Sequence, residues 1–195
     1  TLADSGAAVE LRDSLGQTQA RISAERMTLE HAQGRASLAG VVRATAIDSL
    51  QLESDTLVIE LDEERVWGPD SLVVRLPGSE SRGHRLRAGL DFGEWSLEEV
   101  ESRWDEGDER FTVQARLQET SHGDEGIEVR LEGVRVDFAG WILDGPQARY
   151  FRQRRSIVFA AGVSGADGER RFRAEYFEYL LDERLALGQG TVELE

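Results

Sequence analysis

One pattern recurs down most of the chain and constrains its fold more than any single motif. Ile22-Ser-Ala24-Glu-Arg-Met27-Thr-Leu29 aligns with Leu52-Glu-Ser54-Asp-Thr-Leu57-Val-Ile59, with Leu143-Asp-Gly145-Pro-Gln-Ala148-Arg-Tyr150 and with Phe172-Arg-Ala174-Glu-Tyr-Phe177-Glu-Tyr179. Apolar residues hold the first, sixth and eighth places, and a small residue holds the third. Partial copies begin at Leu86-Arg-Ala88 and Val113-Gln-Ala115. Starts at 22, 52, 86, 113, 143 and 172 lie 30, 34, 27, 30 and 29 residues apart. A near-constant period of this size means stacked units that share one core, because a single unit cannot bury its apolar face alone.

Spacing within the unit identifies it as strand. A strand keeps one face in steps of two, whereas this unit steps by two, three and two, so its parity slips once. A β-bulge or sharp bend at the slip returns both apolar pairs to the same side, and the small third residue suits a crowded bend. A second strand follows each copy, as in Arg35-Ala36-Ser37-Leu38, Arg65-Val66-Trp67, Arg155-Ser-Ile157-Val-Phe159 and Arg184-Leu185-Ala-Leu187. Each period therefore supplies about two strands. Alternation in Val129-Arg-Leu131 and Val134-Arg-Val136-Asp-Phe138, with 20 glycines in the chain, disfavours helix pairs of similar period. Two segments keep a helical reading. Residues 7 to 15 carry Val9, Leu11 and Leu15, and Ser96 to Trp104 offers Ser96 as N-cap with Leu97, Val100 and Trp104 on one side. That second segment and the acidic Asp105 to Glu109 form the expected seam. The organisation expected is an N-terminal segment over 1–20, a first β half over 21–104 and a second over 105–195.

Composition limits function. Of 195 residues, 38 are acidic and 23 basic, for a net charge of −15, which opposes duplex nucleic-acid binding, where a basic footprint must displace counterions. With no cysteine, disulfides and thiolate chemistry are excluded. The longest apolar run, Ile157 to Val163, is far shorter than the roughly 18 residues of a membrane span. The chain opens at Thr1 without Met or a signal-type apolar region, as a processed or trimmed protein would.

The unit of small residue, acid, apolar residue and aromatic, followed by an Arg-led strand and a Gly before another apolar strand, resembles the periplasmic lipopolysaccharide-export family of LptA and LptC (OstA-like). Phe172 to Leu194 and Ile22 to Val42 carry the resemblance best. Leu50 to Leu76 with Gly83-His-Arg-Leu86-Arg-Ala88-Gly-Leu90-Asp-Phe92 is similar to a closing portion of an LptC-type domain, and Arg110 to Phe138 to an opening portion. The resemblance implies an all-β fold, a β-jellyroll (β-taco) of two antiparallel sheets with a greasy slot between them. It implies transfer of lipopolysaccharide or a related amphiphile, and edge-strand docking to similar domains, to an ABC transporter complex or end to end between copies. A periplasmic location follows, with any inner-membrane tether outside this chain.

The expected slot lining is Ile22, Ala24, Met27, Leu29, Leu52, Leu57, Ile59, Leu143, Tyr150, Phe172, Phe177 and Tyr179, which would serve equally as packed core. Strands near residues 9 to 24 and 184 to 194 are the expected open edges, unless charge at Glu193 and Glu195 blunts them. Arg149, Arg152, Arg154 and Arg155, with Arg170, Arg171 and Arg173 one strand later, stand out from the acidic background. Arg149, Arg152, Arg171 and Arg173 are candidate ligands for lipid phosphates, and cross-strand pairing to Glu169, Glu175 or Glu178 is the alternative. Enzymatic chemistry has little support. His31, His84 and His122 lack metal-ligand spacing, Gly162-x-x-Gly165-x-x-Gly168 is a turn rather than a dinucleotide fingerprint, and Asp105 to Glu109 lacks EF-hand spacing and reads as a solvated linker. No catalytic residue, metal or cofactor is expected. A β-repeat module without lipid, and an enzyme acting on an envelope glycan, are the rival readings.

Overall fold

The computed structural model describes residues 2–3, 6–46, 49–107, 109–123, 126–190 and 193–194. The strand pairings within each unit are antiparallel, and a three-residue 3-10 turn occurs at His31–Gln33. The chain divides into two compact units, residues 1–98 and 99–195.

In the first unit the strands are β1 (Leu2–Ala3), β2 (Ala7–Arg12), β3 (Thr18–Ala24), β4 (Arg26–Glu30), β5 (Arg35–Ala46), β6 (Gln51–Glu60), β7 (Arg65–Gly68), β8 (Leu72–Leu76) and β9 (Ser79–Gly89). The long strands serve two ladders. One runs β1, β4, the first half of β5, the second half of β6, β7 and the end of β9. The other runs β2, β3, the second half of β5, the first half of β6, β8 and the start of β9. Bent strands thus fold the ladders of this unit into two layers, the jellyroll arrangement that the family resemblance implies. Each layer buries its inward positions: Ile22, Ala44, Leu52 and Val74 on one, Leu38, Leu57, Ile59 and Val66 on the other.

β10 (Glu94–Glu106) crosses the boundary of the units. The second unit continues with β11 (Glu109–Gly123), β12 (Gly126–Phe138), β13 (Trp141–Phe151), β14 (Ser156–Phe159), β15 (Val163–Ala166), β16 (Arg171–Ala174), β17 (Tyr176–Leu180), β18 (Leu185–Gln189) and β19 (Glu193–Leu194). One ladder joins the far half of β11 to the near half of β12, then the end of β13, β14, β17 and β18. The other joins the remaining halves of β11, β12 and β13 to β15, β16 and β19. Both contribute to a single buried core.

The crease between the layers is where parity slips. In β6, Leu52 and Ser54 are buried before the slip, and Leu57 and Ile59 after it. In β12 the same exchange passes from Leu131 to Val134 across Gly133, at φ +55°. The pairing of β5 with β6 shifts register between Ala39 and Val42, around Gly40 at φ +93°. Crease residues recur at intervals of about 15 or 30 positions: Glu25, Gly40, Asp55 and Arg85 in the first unit, Arg116, Gly133, Pro146, Glu175 and Gly190 in the second. Pro146 costs its strand nothing there, since the ladder bonds of Gly145 and Gln147 skip it. The acid of the repeat closes the bend by lying against a glycine one strand on. A Cβ at Gly40 would meet that of Glu25 at 2.6 Å, and a Cβ at Gly190 would meet that of Glu175 at 2.7 Å.

Two expectations fail. Ser96 to Trp104 is not helical but part of β10, where Trp95 and Leu97, then Val100, Ser102 and Trp104 point inward. The three-residue step from Leu97 to Val100 that resembled a helix face is the parity slip, at Glu99 with φ +50°. Residues 7 to 12 form β2, and Leu15 is 82% exposed in the following turn. The partial copy at Leu86 is also out of frame. Leu86 and Ala88 hold the sixth and eighth places of a unit whose first and third are Ser81 and Gly83, all four buried.

Candidate functional site

All twelve expected lining residues occupy inward positions of the bent ladders. Ile22, Ala24, Leu52, Leu57, Ile59, Leu143, Tyr150, Phe177 and Tyr179 are buried, whereas Met27, Leu29 and Phe172 are half-buried. Met27 and Leu29 lie on β4, in register with buried Leu38 and Ala36 of β5. They present apolar surface at the flank of the first unit's interior.

The second unit is filled by aromatic contacts. Phe172 of one layer stacks on Phe177 of the other at 5.3 Å between centroids, and Phe138 meets Tyr179 at 4.8 Å. Phe111 stacks on Phe138 at 5.2 Å, and Trp104 on Tyr150 at 4.7 Å. The layers are therefore in contact here, and acyl chains would have to part them. Gly165 permits the packing of Phe172, whose ring occupies the space a side chain at 165 would need.

Polar groups seal one end of this interior. The Tyr150 hydroxyl donates to Glu106 Oε1 at 2.5 Å, and the Tyr179 hydroxyl to Glu109 Oε1 at 3.3 Å. Arg155 lies 3.6 Å from Glu106, and Arg184 lies 3.5 Å from Glu109. Burial, then the neighbouring carboxylate, holds both phenols above the ordinary phenol range, Tyr150 well above it. Glu106 and Glu109 are thus mostly covered, 16% and 19% exposed at the side chain, which corrects the reading of this acidic run as solvated linker. Asp108 lies outside the described residues. A second inward polar group, also absent from the sequence reading, links Ser102 to Gln118 at 2.8 Å and Gln118 to Thr120 at 3.4 Å, all buried.

The arginines separate. Arg149 lies in the half of β13 that pairs with β14, 3.8 Å from Glu128. Arg152 sits in the turn after β13, where its backbone N–H donates to Ile127. Arg154 pairs with Glu178 at 3.4 Å and Arg155 with Asp182 at 2.5 Å. Arg170 pairs with Asp167, across the turn joining β15 to β16, and lies 5.4 Å over Trp141. Arg171 and Arg173 are on β16, in the other layer. Arg149 to Arg155 all follow the bend of β13 on the side of β14 and β17, whereas the chain crosses to the other layer before β15 and β16 carry Arg171 and Arg173 there.

Arg171 and Arg173 instead meet Arg135 at an outward groove of about 310 Å³, together with Ile142, Asp144 and Ser164 to Ala166. Asp144 is the one carboxylate among its described lining residues, and it pairs with Arg135 at 3.4 Å. Among the described residues no group of three or more His, Asp or Glu could hold a metal. Among the described residues, no helix is long and apolar enough to cross a membrane.

Open edges lie where expected in part. β2 pairs with β3, and β18 with β17, leaving the other side of each unpaired among the described residues. Every residue of β18 is exposed, including Leu185 at 42% and Leu187 at 38%. β3 is interior to its ladder. Glu195 and the side chain of Glu193 lie outside the described residues.

No protein-family model matches the chain, and no curated protein matches it. Among solved structures it is similar to LptH of Pseudomonas aeruginosa, described as the LptA homologous periplasmic component of the lipopolysaccharide transport device. The two are 11% identical over 90% of this chain and 93% of that one, with a TM-score of 0.28.

Proposed function

We propose that this chain is a non-catalytic periplasmic module that binds lipopolysaccharide or a related amphiphile between its β layers and passes it on. The observation that carries the reading is the repeat itself. Apolar pairs recur at matched places in successive bent strands, so the inward faces form a lining rather than isolated spots. The sequence resemblance to the LptA and LptC family supports the same reading. Moving an acyl chain through water costs about 0.8 kcal/mol per methylene, so a continuous apolar path lowers the barrier to transfer. Acyl chains enter from the half-buried flanks, at Met27 and Leu29 or at Phe172, and part the layers there. The unpaired edges of β2 and β18 serve docking to other Lpt-type domains or to a second copy by added strands.

A second reading, a structural β-repeat module without a lipid ligand, is favoured by one observation: the second unit's interior is filled by its own aromatic side chains. Native mass spectrometry of the chain titrated with lipopolysaccharide separates the two. A carrier is expected to form a saturable one-to-one adduct that a bulky substitution at Leu29 weakens. An unchanged free-protein spectrum at all concentrations selects the spacer.

A further inference from the structure

The outward groove of the second unit combines two rows set by strand register. Arg135, Asp144, Ser164 and Arg173 form one row across β12, β13, β15 and β16, and Ile142, Ala166 and Arg171 form the next. Small residues of β15 make the floor, and longer side chains on either flank make the walls. Arg171 and Arg173 share one strand face, about 6.6 Å apart at Cα. Neither has an ion-pair partner among the described residues, while most other exposed arginines of this unit do. In register, Glu193 stands directly opposite Arg173 and Asp144 two strands away in the same row, while Asp137 ends the row of Arg171.

We propose that this groove is a binding site for a phosphomonoester, held between Arg171 and Arg173 on one wall and Arg135 on the other. Two guanidinium groups on one strand face suit a dianion, and a tetrahedral phosphate presents oxygens to both walls at once, which a planar monoanionic carboxylate does not. Half-buried Ile142 at its border suits the carbon skeleton next to the phosphate. The site faces solvent, so it stands independently of whether the interior takes acyl chains. Phosphate on a lipid headgroup and phosphate on a soluble ester present the same chemistry.

The test is a titration of the full chain with inorganic phosphate at constant ionic strength, read at the arginine Nε–H resonances. Saturating shifts are expected at Arg135, Arg171 and Arg173, with affinity falling at least about tenfold in Arg171→Gln/Arg173→Gln and unchanged in Arg26→Gln/Arg87→Gln. Ala166→Glu, which sets a carboxylate on the floor without removing an arginine, is expected to abolish the shifts while thermal melting stays near wild type. Cosedimentation with phosphatidylcholine vesicles containing phosphatidic acid, lost in Arg171→Gln/Arg173→Gln, identifies a headgroup as the source. Phosphate saturation without vesicle retention identifies a soluble ester. Linear shifts spread evenly over exposed arginines of both units would overturn the site.

Discussion

Phe159→Ala is expected to lower unfolding free energy by about 3–5 kcal/mol, the usual cost of emptying an aromatic site in a core that cannot collapse. Phe159 is fully buried on β14 and meets Phe177 edge-on at 6.3 Å. Its ring also reaches the other layer, standing 2.7 Å from where a Cβ at Gly145 would be. Removing it opens a void at the crease, where bent backbone fixes the neighbours. Chemical denaturation with matched m-values checks the figure. A loss under about 1 kcal/mol would mean that the layers close over the gap and that the crease is softer than described.

The opposite substitution probes the same contact from the backbone side. Gly145→Val is expected to destabilise by about 1–3 kcal/mol or more. Its Cβ would meet Phe159 Cδ1 at 2.7 Å and the Gly162 carbonyl oxygen at 3.0 Å, and the carbonyl belongs to backbone that cannot swing aside. The double variant Gly145→Val/Phe159→Ala should recover part of the steric cost, because only the side-chain clash is relieved. Fully additive losses in a double-mutant cycle would place the two residues out of contact.

The repeat was legible because it is written in apolar spacing, and spacing is what strand parity obeys. The bend was legible from the same source, since steps of two, three and two cannot lie on one face of a straight strand. The helix expected at Ser96 to Trp104 shows the limit of that signal. One parity slip turns an alternating run into residues three and four apart, and only the positive φ at Glu99 tells the two apart. The frame of the copy at Leu86 was lost because Ser81 and Gly83 hold its first inward pair, so no apolar residue marks the start.

The site was less readable than the fold. The twelve residues expected to line a slot all face inward, yet nothing in the sequence separates Met27 and Leu29, at the flank, from Leu57, which is fully buried. That difference depends on how much of β4 its neighbours cover. The arginine cluster misled because closeness in sequence does not survive a crease. Arg149 follows β13 into one layer while Arg171 and Arg173 pair in the other, and Arg135, 36 residues upstream of Arg171, joins them through strand register. The tyrosine–carboxylate seal was hidden for a similar reason. Tyr150 and Tyr179 occupy ordinary eighth positions, and their partners Glu106 and Glu109 sit in an acidic run that composition alone assigns to solvent.

The most direct measurement compares neighbours on a single strand. A photoreactive side chain placed in turn at Met27, Thr28 and Leu29 of β4, with lipopolysaccharide present, samples the inward and outward faces one residue apart. The account predicts lipid adducts at 27 and 29 and none at 28. Equal labelling at all three, or labelling at 28 alone, would contradict an interior path for the lipid.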